Sequence, residues 1–193
     1  MTSPQPIPTH TRSHYTNNSR ASRLPFSSQY CKLSGLTRWD FHIGDLISAP
    51  FHSANTNPNV DPYDPRLALT VEGPVYSKRR MLIVLFIHAQ DLYCLPLYSF
   101  SDRGLSAKPQ YLRHEYVCVA NNGDKYFANE GSHKALWIEA NKAVSASTTL
   151  QLTGGMRIGC NEDVVRTGRL TRESYFYLLD LWRRVAAREE DWD

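Results

Sequence analysis

The chain has 193 residues and a formal net charge of +3. That length suits one domain with a buried core, or one such domain with a tail. Residues 1–38 hold five of the 22 cationic residues and no acid, which leaves 17 cations against 19 acids in the remainder. A slightly acidic body argues against a domain whose whole surface follows a phosphate backbone, because such a domain needs a concentrated basic face.

The sequence predicts no metal, no cofactor and no membrane segment. The four cysteines are far apart, and no cluster of Cys and His has the spacing of a zinc site. The longest apolar run, residues 81–87, is too short to cross a bilayer, which takes roughly 20 residues. The first residues lack the apolar core of a secretory signal. We therefore expect an intracellular protein with reduced thiols, in the cytoplasm or the nucleus.

Residues 1–38 are rich in Pro, Ser, Thr and Asn and have few aliphatic residues. A segment of this composition buries too little apolar surface to offset its ordering entropy, so we predict a disordered basic tail. The folded domain is predicted over residues 39–187 and begins at "WDFHIGDLISAP". Residues 51–74 contain four prolines and little periodicity, and we predict a long loop there.

The middle of the chain carries short apolar and aromatic segments that are typical of strands. Residues 81–88 and 92–100 are separated by "AQD", which predicts a hairpin. Pro96 predicts that the second segment is an edge strand or contains a bulge, because proline cannot donate to the ladder. Residues 114–120, 135–140 and 148–152 are further strand candidates, and we expect about six to eight strands in all.

One helix is predicted, over residues 172–188. It has an apolar face at helical spacing, with Thr171 as the expected N-cap, and the face consists of Tyr175, Leu178, Leu179, Trp182, Val185 and Ala186. Strands followed by one terminal helix predict a mainly β (α+β) fold. We expect a small, strongly curved antiparallel sheet or an SH3-like barrel, with the helix packed on one open end or face.

The order of several segments resembles a fungal family of domains of unknown function. These segments are "IGDLI", "GPVYSKRRMLIVL", "CLPLYSFSDRGL", "RHEYVCVA" and "GGMRIGCNEDVVRTGRLTRES", and they span about residues 40–185. The resemblance implies a fold of the same kind and no particular activity.

Part of the same region is similar to toxin endoribonucleases with an SH3-like barrel. The similar pieces are "IGDLI", "SKRRMLIVL" and "CLPLYS", in that order. The resemblance implies that Arg79 or Arg80 is the cationic residue of such a site and that Ser99 supplies the hydroxyl. Met81 stands where that family usually has a proline after the arginine pair. An arginine and a hydroxyl can stabilise the charge that develops during cleavage, with His88 or His114 as the base.

The cationic triplet Lys78, Arg79 and Arg80 allows two interpretations. It can bind an anionic ligand together with Tyr98, Ser99 and Arg103, or it can be a solvated strand edge that blocks sheet-to-sheet pairing. The aromatic residues nearby also allow two roles, since they can stack on a base or a proline-rich peptide, or pack under the terminal helix. Cys94 lies in an apolar strand, where a thiol is usually inert.

The sequence favours a non-catalytic interaction module that binds a protein segment or nucleic acid, with an unknown protein or RNA as its partner. Its predicted binding residues are Lys78, Arg79, Arg80, Tyr98, Ser99 and Arg103. The alternative is a metal-independent endoribonuclease that uses Arg79, Arg80 and Ser99.

Overall fold

The structure is a computed structural model, and it describes residues 33–57 and 59–186. These residues form nine strands and one α-helix, together with short 3-10 turns. The elements are β1 (Asp45–Ala54), β2 (Leu67–Thr70), β3 (Gly73–Ile87), β4 (Asp91–Tyr98), β5 (Tyr116–Asn121), β6 (Leu136–Ala140), β7 (Thr149–Gln151), β8 (Met156–Gly159), β9 (Val165–Leu170) and α1 (Arg172–Ala186). The predictions of a mainly β fold and of a C-terminal helix are confirmed.

All nine strands belong to one sheet, in the order β2-β3-β1-β9-β6-β5-β7-β4-β8. An additional pairing of β3 with β4 closes seven of these strands into a circuit, with β2 and β8 outside it. The sheet is therefore strongly curved. The prediction of an antiparallel sheet is wrong for one pair, since β5 and β6 run parallel. Residues 122–135 form the connection that carries the chain back to the same end of the sheet, as a parallel pair requires.

Strand β3 is longer than its apolar core. Residues 73–76 pair with β2 and residues 82–87 pair with β4, while β1 pairs along residues 75–83. The prediction of a long loop over residues 51–74 is wrong, because this range contains the end of β1, all of β2 and the start of β3. The side chains there are largely exposed, so backbone pairing without an apolar alternation holds these strands together.

The prediction that Pro96 marks an edge strand is wrong, because β4 is paired on both sides. One side pairs with β3, and the other pairs with β8 up to Cys94 and with β7 from Leu97 onward. Pro96 lies in the gap between β8 and β7. A central strand tolerates this proline because no neighbour requires an N–H at that position.

The largest apolar cluster lies on the face that the circuit encloses, and α1 packs against it at one end. The hydroxyl of Tyr175 donates to the carbonyl of Leu85 (3.1 Å), and the Trp182 ring meets Phe86 edge-on at 5.3 Å. Thr171 is the N-cap, as predicted, because its hydroxyl accepts from the N–H of Ser174 (3.3 Å). We call this part of the molecule the helix-covered end.

A second apolar cluster covers the outer face of β1, β3 and β4. It includes Cys94 and Cys160, and Leu36 packs against it. The N–H of Ser34 donates to the carbonyl of Asn161 (3.1 Å), so residues 33–38 of the predicted tail contact the domain. Residues 1–32 lie outside the described residues. Within the described ranges, no helix has the length and apolar character needed to cross a membrane.

Candidate ligand-binding cleft

A cavity of about 740 Å³ opens at the end of the circuit opposite α1. Its walls are residues 78–81 of β3, residues 97–101 after the pairing of β3 with β4 has ended, and residues 141–145 after β6. Ser48, Thr148 and Thr167 also line it. The cavity exists because β4 leaves β3 after Pro96 and pairs with β7 at Leu97 and Tyr98. We call this cavity the cleft and this part of the molecule the cleft end.

The side of β3 away from β1 has a gap in its ladder. Pairing with β2 stops at Tyr76, and pairing with β4 starts at Leu82, so no described strand pairs with residues 77–81 on that side. The N–H of Ser77 points to that side, since it donates to the carbonyl of Arg66 (2.7 Å). Backbone groups alternate along a strand. The N–H and C=O groups of Arg79 and Met81 therefore also point to the gap.

The charges that line the cleft have one sign. Its described lining contains Lys78, Arg79, Arg80 and Lys142 and includes neither Asp nor Glu. Several hydroxyl groups accompany the cations, on Ser48, Ser99, Ser101, Ser145, Thr148 and Thr167. Partial burial, and then the charge of Arg80, lower the pKa of Lys78. This lining suits an anionic ligand.

Arg79 is held in place by contacts on the β1 side of the cleft. Its guanidinium donates to the carboxylate of Asp163 (2.7 Å), to the Asp163 carbonyl (2.7 Å) and to the carbonyl of Ser48 (2.9 Å). The ion pair neutralises part of its charge, and the side chain is still about two-fifths exposed. Arg79 therefore joins β1 to the segment before β9 and contributes less free charge than Lys78.

Arg80 lies where β3 and β4 separate. Its guanidinium lies between two rings, 4.6 Å from the centroid of Phe51 and 4.0 Å from that of Tyr98. One Nη donates to the carbonyl of Leu97 (2.9 Å), whereas the buried Nε has no hydrogen-bond partner. Burial lowers the pKa of Arg80, although a guanidinium still carries its charge at physiological pH. Arg80 is thus both a structural residue and a cation of the cleft.

Aromatic rings beside the cleft stack on one another. Tyr98 and Phe100 are nearly parallel, with centroids 5.1 Å apart, and Lys108 lies 4.5 Å from the Phe100 centroid. Tyr98 therefore has Arg80 as one neighbour and Phe100 as another. Burial raises the pKa of Tyr98. These contacts occupy ring surface of Tyr98 and Phe100 on which a nucleic-acid base would otherwise stack.

The chain after Tyr98 adopts a left-handed turn. Phe100, Ser101 and Asp102 have φ values of 52°, 57° and 60°. Such a conformation costs a non-glycine residue roughly 1–3 kcal/mol. The carboxylate of Asp102 accepts from the hydroxyls of Ser145 (3.1 Å) and Ser147 (3.3 Å), so it joins two walls of the cleft.

Five of the six predicted binding residues line the cleft, namely Lys78, Arg79, Arg80, Tyr98 and Ser99. Arg103 is not in the described lining, and its Nε donates to the carbonyl of Phe100 (3.2 Å). Sequence patterns did not identify Lys142, Ser145 and Thr167, which the fold brings to the cleft from distant segments. The patterns also did not identify the role of Asp102, because a left-handed turn formed by three non-glycine residues has no clear sequence signal.

The candidate bases for RNA cleavage lie elsewhere in the fold. His88 is in the connection between β3 and β4, at the helix-covered end, and His114 is in a 3-10 turn before β5. Neither residue lines the cleft, whose described lining has no His, Asp or Glu. The thiol of Cys94 is buried, and burial raises its pKa, so this cysteine is no nucleophile. The arrangement can bind an anion, but its described lining has no imidazole or carboxylate for proton transfer.

The "IGDLI" segment has a structural role. Asp45 is fully buried, and its carboxylate accepts from the Nε of Arg169 (2.8 Å) and from the N–H of His42 (2.9 Å) and forms an ion pair with Arg166 (3.1 Å). Gly44 has a φ of 81° and lies against the Tyr175 ring. Together these contacts connect β1, β9 and α1. In the described part of the chain, no three His, Cys, Asp or Glu residues are grouped as metal ligands.

Comparison of this chain with protein-family models, with curated proteins and with solved structures finds no significant match.

Proposed function

We propose that this protein is a non-catalytic binding module that holds an extended, acidic protein segment in the cleft. The observation that carries the proposal is the one-sign lining of the cavity, which combines Lys78, Arg80 and Lys142 with hydroxyl groups. A lining of this kind attracts carboxylates and repels basic ligands, so charge complementarity sets the specificity and the rate of association.

The gap in the β3 ladder supports an extended protein segment as the ligand. The backbone groups of Arg79 and Met81 point into the gap between β2 and β4. A peptide in strand conformation pairs with such groups, as in β-strand addition, and the neighbouring side chains then provide specificity. A nucleic acid cannot form this backbone ladder.

The stacked rings of Tyr98 and Phe100 also favour a peptide ligand over a nucleic acid. Proteins that bind single-stranded nucleic acid offer open aromatic faces on which bases stack. Here Arg80 and Phe100 lie against Tyr98, and Lys108 lies against Phe100. The cleft therefore favours a peptide over RNA.

The endoribonuclease alternative has weaker support. Arg79 and Ser99 line one cleft, but the arginine is paired with Asp163 and the lining lacks a base. The SH3-like barrel, the fungal family relationship and the intracellular location stay predictions of the sequence.

Fluorescence anisotropy with defined probes tests the proposal. The probes are an alternating glutamate–valine octapeptide, a lysine–valine octapeptide and an octauridylate. We expect binding of the acidic peptide alone, weakened by salt. The double substitution Lys78→Glu with Lys142→Glu should reduce the affinity by at least about tenfold. The control, Lys125→Glu with Lys134→Glu, has the same charge change away from the cleft and should bind as the parent does.

Two results would overturn the proposal. One is tighter binding of the oligonucleotide than of the acidic peptide. The other is an equal loss of affinity in the control and in the cleft variant. Incubation with RNA in EDTA tests the enzymatic alternative, for which we expect intact RNA. If the parent protein cleaves the RNA and the Ser99→Ala variant does not, the endoribonuclease hypothesis is correct.

A further inference from the structure

An acidic segment follows α1, in residues 187–193, which lie outside the described residues. Four of its seven residues are acids, Glu189, Glu190, Asp191 and Asp193. In residues 1–186, no window of five residues holds more than two acids. We propose that the segment 189–193 of a second copy of this chain occupies the cleft, an inference that rests on the proposed function.

Charge is the first argument for this occupant. The described lining of the cleft contains four cations and no acid, and the segment presents four carboxylates within five residues. In an extended conformation Glu189, Asp191 and Asp193 share one face, because side chains alternate along a strand. The segment also contains Trp192, and the cleft includes apolar lining from Met81 and Val144.

The geometry of the fold assigns the segment to a second copy. Trp182, in the last part of α1, packs on Phe86 at the helix-covered end. The cleft residue Arg80 lies six positions earlier in β3, a distance of roughly 20 Å along a strand. From Trp182, the rest of α1 adds about 6 Å, and the three steps from Ala186 to Glu189 add about 11 Å at full extension. At full stretch in the required direction, Glu189 of a chain's own segment still lies about 3 Å short of Arg80, so only the last residues of that segment reach its own cleft, whereas a second copy can place the whole segment there.

A contact of this kind is head-to-tail, since each copy offers one segment and one cleft. Such an interface forms a closed ring or an open chain of copies, depending on the rotation that relates neighbours. The interaction is electrostatic and involves exposed groups such as Lys78, so salt should weaken it.

Sedimentation equilibrium of the full chain tests the inference. We expect the average mass to rise above that of the monomer as the concentration increases, and to return to the monomer in high salt. Two variants should remain monomeric at all concentrations. The cleft variant carries Lys78→Glu and Lys142→Glu, and the segment variant carries Glu189→Gln, Glu190→Gln, Asp191→Asn and Asp193→Asn.

Mixing the two variants is the decisive measurement. The cleft variant keeps an intact segment, and the segment variant keeps an intact cleft, so the mixture should form a complex of one copy of each and nothing larger. If the substitutions acted only by changing the overall surface charge, the two variants would not form this one-to-one complex when mixed. A mixture that remains monomeric would overturn the inference, as would a segment variant that still self-associates.

Binding of labelled peptides to the segment variant separates this inference from the proposed function. The probes are a peptide of residues 187–193 and the alternating glutamate–valine octapeptide. We expect both to bind, and the 187–193 peptide to bind more tightly. Binding of the octapeptide alone would end the inference and leave the proposed function standing, and binding of neither would end both.

Discussion

The two ends of the circuit are built from the same strands, but their side chains differ in burial and in hydrogen bonding. At the helix-covered end, Leu178 and Leu181 of α1 are buried against the enclosed cluster. At the cleft end, Lys78 is exposed, Arg80 leaves one buried nitrogen without a partner, and Phe100–Asp102 adopts a left-handed turn. One end maximises apolar burial, whereas the other retains features that cost stability. Local departures of this kind concentrate where a protein binds something.

The same contrast between a buried apolar part and an exposed cationic part occurs along strand β3. Ile83 and Leu85 belong to the enclosed cluster and are fully buried, while the Arg79 side chain is about two-fifths exposed. The change occurs at Met81, where the pairing with β4 stops. In β3, the apolar residues 82–87 pair with β4, whereas residues 77–81, which include the cationic triplet, have no strand partner on that side among the described strands.

The largest effect should come from the helix-covered end. Leu178→Ala creates a cavity beneath α1, and we expect a loss of about 2–5 kcal/mol in the free energy of unfolding. Urea denaturation measures it. Phe176→Ala is the matched control, because this residue of the same helix is 54% exposed and its removal should cost much less. Equal losses in the two variants would mean that α1 does not seal this end through Leu178.

At the cleft end, Arg80→Ala should have an intermediate effect. The substitution removes the hydrogen bond to Leu97 and the contacts with Phe51 and Tyr98. We expect a loss of about 1–3 kcal/mol in the free energy of unfolding, again by urea denaturation. Lys78→Ala removes a cation from the same strand without these contacts and should change stability by less than about 0.5 kcal/mol. An unchanged stability of Arg80→Ala would reduce Arg80 to a binding residue only.

The left-handed turn gives a smaller effect of the opposite sign. Ser101→Gly relieves a φ of 57°, and we expect a gain of up to about 1 kcal/mol in the free energy of unfolding. Ser101→Val should instead lose stability, because a β-branched side chain is disfavoured at this φ. The pair is compared by thermal unfolding. If both variants lose the same stability, the turn is not a strained element.

The smallest effect is the pH dependence of ligand binding. Burial and Arg80 lower the pKa of Lys78 below the usual 10.5, so this cation loses its charge earlier than an exposed lysine as the pH rises. The midpoint of the fall in affinity for the glutamate–valine octapeptide should therefore lie at a pH below 10.5. Lys78→Arg should keep its affinity over the same range, since a guanidinium remains charged. Anisotropy titrations of the two proteins at matched pH make the comparison, and parallel curves would exclude Lys78 as the titrating group.

The sequence predicts local features well where one element supplies the whole signal. The apolar spacing from Tyr175 to Val185 predicted α1, and Thr171 was correctly identified as its N-cap. The cationic triplet pointed to the part of β3 that lines the cleft. Sequence patterns failed at β2 and at the end of β1, because exposed paired strands lack the apolar alternation on which the prediction depends.

The amino-acid sequence by itself determined the secondary-structure class, the terminal helix, the apolar strands and the concentration of acids after α1. These properties depend on side chains that are neighbours in the chain, and their spacing is visible in a line of letters. Only the tertiary structure decided that β3 and β4 separate after Pro96, that Lys142 and Thr167 join the cationic triplet, and that Asp102 connects two walls of the cleft. These depend on contacts between residues far apart in the chain, which pairing across the sheet sets and local spacing does not encode.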